Sequence, residues 1–202
     1  MYKLSATGTN VALNASGLAA AVAYSGGGYA LSANDAGDSL GHLITITGKA
    51  ATDHSGKTFT VTGTNSDDQP IAEGIAGPNG AVAVSTTKYF KTVTSVTVSS
   101  TTGADTFDIG WTAAAVSATI LPLNKSVRMN SQFNIGFGCV VGTGTPTFSV
   151  QHTYDNVAWF NHSVVAAKNA NADGVYTSPV LAMRIIWSAA GQVTLTGWQA
   201  GD

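Results

Sequence analysis

Apolar residues in this chain come in short runs that alternate with Thr or Ser. His42-Leu43-Ile44-Thr45-Ile46-Thr47, Thr58-Phe59-Thr60-Val61-Thr62, Val93-Thr94-Ser95-Val96-Thr97-Val98 and Gln192-Val193-Thr194-Leu195-Thr196 are the clearest. Alternation of this kind puts one set of side chains in a core and the other in water or against a neighbour, which is the pattern of a β-strand. Branching at Cβ restricts χ1 and suits Thr, Val and Ile to the pleated backbone. Gly-, Asn- and Asp-rich turns separate the runs, so the pattern predicts an all-β chain.

The punctuation divides the chain into three stretches. Residues 1–34 are rich in Ala, Gly and Ser, including Ser25-Gly26-Gly27-Gly28, and have little to bury alone. They read as an extended N-terminal arm, or as strands completed by a neighbour, with Met1-Tyr2-Lys3-Leu4 able to open a short strand. Residues 35–113 form a first β module with candidate strands at 41–48, 57–64, 70–76, 81–85, 89–98 and 106–111. Its turns are Asp53-His54-Ser55-Gly56, Asn65-Ser66-Asp67-Asp68, Gly77-Pro78-Asn79-Gly80 and Thr101-Thr102-Gly103-Ala104-Asp105. In the third of these, Asn79-Gly80 favours positive φ.

Thr112-Ala113-Ala114-Ala115-Val116-Ser117 marks a boundary. A second module, 116–202, carries candidate strands at 117–123, 132–141, 146–154, 157–160, 175–177, 180–187 and 192–199. Phe133, Phe137, Phe148, Tyr154, Trp159, Phe160, Trp187 and Trp198 fall here and give it the heavier core. Strands of this length and spacing fit two tandem antiparallel β-sandwich modules of jelly-roll type behind the N-terminal arm.

Composition bears on function more than on fold. Charged residues are 10% of the 202-residue chain and apolar residues 44%, against about 25% charged in an ordinary soluble domain. A monomer exposed on all sides generally carries more charge, which keeps it soluble and keeps its sheet edges from pairing. The deficit therefore predicts that partner chains cover much of this surface. With 9 Lys and Arg against 11 Asp and Glu, and no basic stripe, nucleic-acid binding is not expected. No stretch reaches the ~18 apolar residues of a membrane span, so no membrane partner is expected. Leu18-Ala19-Ala20-Ala21-Val22-Ala23 is too short for a secretion signal and follows polar Asn10, Asn14 and Ser16.

Catalysis needs converging titratable groups, and here they are scattered. Glu73 is the only Glu. Asp35, Asp38, Asp53, Asp67, Asp68, Asp105, Asp155 and Asp173 fall in turns, where Asp binds its own backbone. Asp67-Asp68 could join a calcium cage but reads as a solvated turn. His42, His54, His152 and His162 lack the spacing that brings two imidazoles together on one element, and read as surface or edge residues. Cys139, the lone Cys, lies among Phe137, Val140 and Val141 and reads as a buried structural thiol. Gly26-Gly27-Gly28 lacks the Lys of a phosphate loop, and Gly136-x-Gly138 lies inside a strand. No catalytic, cofactor-binding or metal-binding residues, no cofactor and no enzyme activity are expected. The rival with most residues behind it is glycan binding, through Trp159, Trp187, Trp198, Tyr154 and Tyr176 as stacking faces. Trp187 ends the apolar run from Met183 and reads as core.

Ile44-Thr45-Ile46-Thr47-Gly48, Gly56-Lys57-Thr58-Phe59-Thr60-Val61-Thr62-Gly63-Thr64, Gly77-Pro78-Asn79 and Thr87-Lys88-Tyr89-Phe90-Lys91-Thr92-Val93-Thr94-Ser95-Val96 together resemble small virion proteins of tailed bacteriophages. Phe133-Asn134-Ile135-Gly136-Phe137, Phe148-Ser149-Val150-Gln151-His152-Thr153-Tyr154-Asp155 and Trp159-Phe160-Asn161-His162 are similar to segments that follow in the same proteins. The resemblance spans residues 40 to 200. It implies a β-sandwich or jelly-roll subunit of the virion, assembled in the host cytoplasm, that decorates or cements the capsid; a neck or tail subunit is the alternative. The implied partners are other virion proteins (the major capsid protein, or neck and tail subunits) and further copies of the chain, as a dimer or trimer. The implied mechanism is mechanical, through Thr-rich faces and exposed sheet edges. No catalytic residues come with the resemblance.

Overall fold

The computed structural model describes residues 1–122 and 133–200. Among the described residues there is no helix, so the all-β reading holds. The strands are β1 (Tyr2–Asn10), β2 (Asn14–Ser25), β3 (Gly28–Tyr29), β4 (Gly41–Gly48), β5 (Thr58–Thr64), β6 (Pro70–Ala76), β7 (Ala83–Phe90), β8 (Thr92–Val98), β9 (Thr106–Val116), β10 (Asn134–Thr153), β11 (Trp159–Asn161), β12 (Ala172–Tyr176) and β13 (Ala182–Ala200). The chain divides into two compact units. One is Val11–Ala115; the other joins Met1–Asn10 to Val116–Asp202. The first 34 residues, expected as an arm or as strands completed by a neighbour, supply β1, β2 and β3, which pair within the chain: β1 with β13, and β2 with both β3 and β9.

In the unit Val11–Ala115, β6, β5 and β8 form one sheet, while β3, β2, β9, β4 and β7 follow one another in the other. Both sheets feed one core of Leu18, Ile44, Ile46, Phe59, Val61, Phe90, Val96, Phe107 and Ile109. Tyr29 stacks on Phe59 across the sheets, centroids 5.8 Å apart, and takes the edge of Phe107 at 5.4 Å. This is the sandwich arrangement, inner faces interdigitated and outer faces polar. Trp111 closes one end. Its ring occupies the space where a Cβ on Gly17 would stand, 2.2 Å from the nearest ring atom. Its Nε1 donates to the carbonyl of Ala12 at 3.1 Å.

The expected alternation is intact in β5, where Phe59 and Val61 are buried and the Thr residues are not. In β8 the two buried valines are three apart, Val93 and Val96, because the register with β5 slips between Thr62 and Gly63. A bulge of this kind carries one extra residue and restores the inward face. β7 holds a larger irregularity. Leu43 pairs with Tyr89 but Thr45 with Ser85, so β7 uses four residues where β4 uses two. That is why candidate strands 81–85 and 89–98 are redrawn as β7 and β8.

In the other unit, β10 and β13 are one long antiparallel ribbon running from Asn134↔Ala200 to Thr153↔Ala182. Four separate strands were expected here, at 132–141, 146–154, 180–187 and 192–199. The segments that read as turns are instead a bend within the ribbon, where the register shifts between Val141 and Phe148. Gly144, at φ 78°, faces Gly191, at φ 142°, backbone that only glycine adopts without strain. The bend lets the two halves close on each other. Phe137, in the first half, stacks on Tyr176 at 5.5 Å, and Tyr176 meets His152, in the second, at 5.1 Å. β12 and β1 flank the first half; β11 flanks the second. Candidate strands 117–123 and 132–141 run partly into residues 123–132, outside the described residues.

Candidate interaction surface

The first half of the ribbon builds the surface of interest. Strand order there is β12–β10–β13–β1, four strands in antiparallel register. Leu4, Ile135, Phe137, Cys139, Tyr176, Val193 and Leu195 turn inward and are buried. Because directly paired residues share a face, the outward side can be read row by row. Lys3, Trp198, Gly136 and Val175 form one row; Ser5, Thr196, Gly138 and Asp173 the next. Thr7, Thr194 and Val140 follow, then Thr9 and Gln192. Thr7 donates to the hydroxyl of Thr194 at 3.2 Å, and Gln192 donates to the hydroxyl of Thr9 at 3.2 Å, which ties β1 to the sheet.

This face is exposed and nearly without charge. Trp198 is 48% exposed, Val175 51% and Val140 55%. Between Trp198 and Val175 the floor is glycine. A Cβ placed on Gly136 or Gly138 would meet nothing within 4 Å, so a shallow trough runs along β10 with Trp198 on one wall and Val175 on the other. Neighbouring strands are about 4.8 Å apart, so the two walls stand roughly 10 Å from each other. Lys3 and Asp173 sit on opposite margins of the face. From the sequence, Gly136-x-Gly138 could be placed only inside a strand; it is the register that sets Gly136 beside Trp198 and Gly138 beside Thr196.

The His residues and most of the acids lie elsewhere. His42 is buried, with Nδ1 3.1 Å from the carbonyl of Thr112 and Nε2 2.9 Å from Oδ2 of Asp38. Both partners are acceptors, so the ring bridges the Thr112 carbonyl and the Asp38 carboxylate. Asp38 also accepts from the backbone N–H groups of Val11 and Leu40. Burial pushes the Asp38 carboxyl up, but the hydrogen bond and charge of His42 with the two amides outweigh it and hold it below the ordinary range.

His54 donates from Nε2 to Asp105 at 2.9 Å and packs on Phe107. His162 accepts the N–H groups of Val164 and Val165 at Nδ1, so its proton is on Nε2 and goes to the carbonyl of Val175. Thus His42, His54 and His162 are buried joints between segments rather than the surface or edge residues expected. His152 is half-buried. Its pKa is lowered by burial and then by the nearby His162.

Glu73 reaches from β6 to the irregular part of β7. Its carboxylate accepts Thr87 N–H at 2.9 Å, Lys88 N–H at 2.8 Å and the Thr87 hydroxyl at 2.8 Å. Burial acts against the carboxylate, yet these donors lower its pKa overall. Asp35, Asp53 and Asp155 cap their own turns through backbone N–H bonds. Asp68 is bound to Lys91 at 2.8 Å. Among the described residues no group of three His, Cys, Asp or Glu converges as a metal site. Cys139 is buried and its thiol is pushed up to about 12 by desolvation.

The rings nominated for glycan stacking do not converge. Trp187 and Tyr176 are buried. Trp159 lies under the guanidinium of Arg184, 3.9 Å from the ring centroid. Tyr154 and Trp198 stay open, but Tyr154 lies just past the Thr153↔Ala182 end of the ribbon and Trp198 near the other. No protein-family model matches the chain, and no significant match is found among curated proteins.

Proposed function

We propose that this protein is a non-enzymatic structural subunit of a tailed-bacteriophage particle, a capsid decoration or cement protein that works by non-covalent assembly. The observation that carries the reading is the exposed, nearly uncharged outer face of β12–β10–β13–β1, with Trp198, Val175 and Val140 standing out of rows of Thr. Contiguous apolar surface rimmed by polar residues is characteristic of protein–protein contact sites, and Trp is among the residues that dominate such contacts. The charge-poor composition supports the same reading. So does the use of the buried acid and His residues as structural ties, each bonded to backbone or to a partner side chain.

The test is to purify particles of the phage that carries the gene and count copies of the chain by quantitative gel. A copy number matched to the head lattice is expected. A few copies at one vertex would move the subunit to the neck or tail. Absence from the particles would overturn the proposal.

A further inference from the structure

We infer that the outer face of β12–β10–β13–β1 is where two copies of this chain pair, face to face, about a two-fold axis running along the strands. The inference rests on the assembly reading for its setting and names the occupant of that surface. It follows from the register. A two-fold midway between β10 and β13 exchanges those two strands, exchanges β12 with β1, and keeps each row opposite itself. Trp198 of one copy then stands over Gly136 of the other, in the same row, and Thr196 over Gly138. The one large ring of the face meets the one place where the floor has no side chain. A Cβ on either glycine would meet nothing within 4 Å, so the space is open to a partner's indole.

The charges match under the same operation. Lys3 and Asp173 lie on opposite margins, in adjacent rows. The two-fold sets Lys3 of one copy over Val175 of the other, one row from Asp173. The lysine stem covers the valine while its ammonium reaches the carboxylate, and the contact occurs twice. An isologous interface must be self-complementary in this way. Sheets packed face to face keep their strands within about 30° of one another, which a two-fold close to the strand direction permits.

Strand spacing and rise give the patch roughly 400 Å², against about 800 Å² per partner in a standard interface. The pair is therefore weak and reversible in free solution, and strengthens where copies are concentrated on a common surface.

Sedimentation equilibrium of the full chain, from about 10 μM to about 1 mM, tests this over the weak range of affinities. The wild type is expected to shift from monomer to dimer. Lys3→Asp and Asp173→Lys are each expected to weaken pairing about tenfold, and an equimolar mixture of the two to form a heterodimer, since every facing charge is then opposite. Gly136→Lys, which the monomer accommodates in open space, is expected to abolish pairing. Circular dichroism establishes that each variant is folded. A wild type that stays monomeric throughout, or single variants that do not complement when mixed, overturns the inference. So does a monomeric wild type whose binding to particles is lost with Gly136→Lys, because another virion chain then occupies the face; the assembly reading would survive that result. A chain that dimerises as described but is absent from particles leaves the pairing standing and removes the virion role.

Discussion

His42 and Asp38 show what a single pair of side chains does in a chain with so little charge. Breaking a buried, charge-assisted contact by removing one partner is costly, typically about 3–5 kcal/mol, because the other is left without its partner. Asp38→Asn is therefore expected to destabilise the protein by about 3 kcal/mol, read from urea unfolding. The same carboxyl governs acid behaviour. Its folded pKa lies below its unfolded value, so its contribution is complete above the ordinary carboxylate range and is lost as pH falls through the folded value. Glu73 acts in the same direction. Melting temperature is expected to drop on acidification below about pH 4, and the drop should be shallower in Asp38→Asn. None of this was legible in the sequence. His42 opens an alternating run and Asp38 sits in a turn, and nothing local says that Thr112, seventy residues on, supplies the second acceptor.

Elements were legible where the alternation is unbroken and misread where a bulge changes its phase. β4, β5 and β6 begin and end within a residue of their expected limits. Thr45 is nonetheless buried, in a strand that has neighbours on both edges. β7 defeated the pattern, since four of its residues answer two in β4. Thr86 repairs part of that mismatch: its hydroxyl accepts Ile44 N–H and donates to the Lys88 carbonyl, both at 2.9 Å. Glu73 takes the remaining amides of Thr87 and Lys88. Glu73→Ala should speed hydrogen exchange at those two amides before any others and cost about 1 kcal/mol overall, the site being partly solvated. Unchanged exchange there would show that the clamp is idle. Gly142-Thr143-Gly144-Thr145 reads as a turn by composition but bends a continuous strand. Gly144→Ala, forced to φ near 78°, should lower stability by about 1–2 kcal/mol in thermal melts.

At the scale of the whole molecule, the all-β class followed from composition and period, whereas the partner of the first strand did not. β1 pairs with β13 across more than 180 residues, and no local signal encodes such a pairing. That strand completes the face on which the functional proposal rests and places Lys3 at its margin. The glycines beside Trp198 likewise acquire meaning only once the register is known. If this surface exists to be covered in an assembly, the chain must be present on the particle. Quantifying the chain on purified phage particles tests it most directly. Many copies per particle, in fixed proportion to the major capsid protein, are expected; particles that lack the chain while it accumulates free in the lysate would show that the surface has another use.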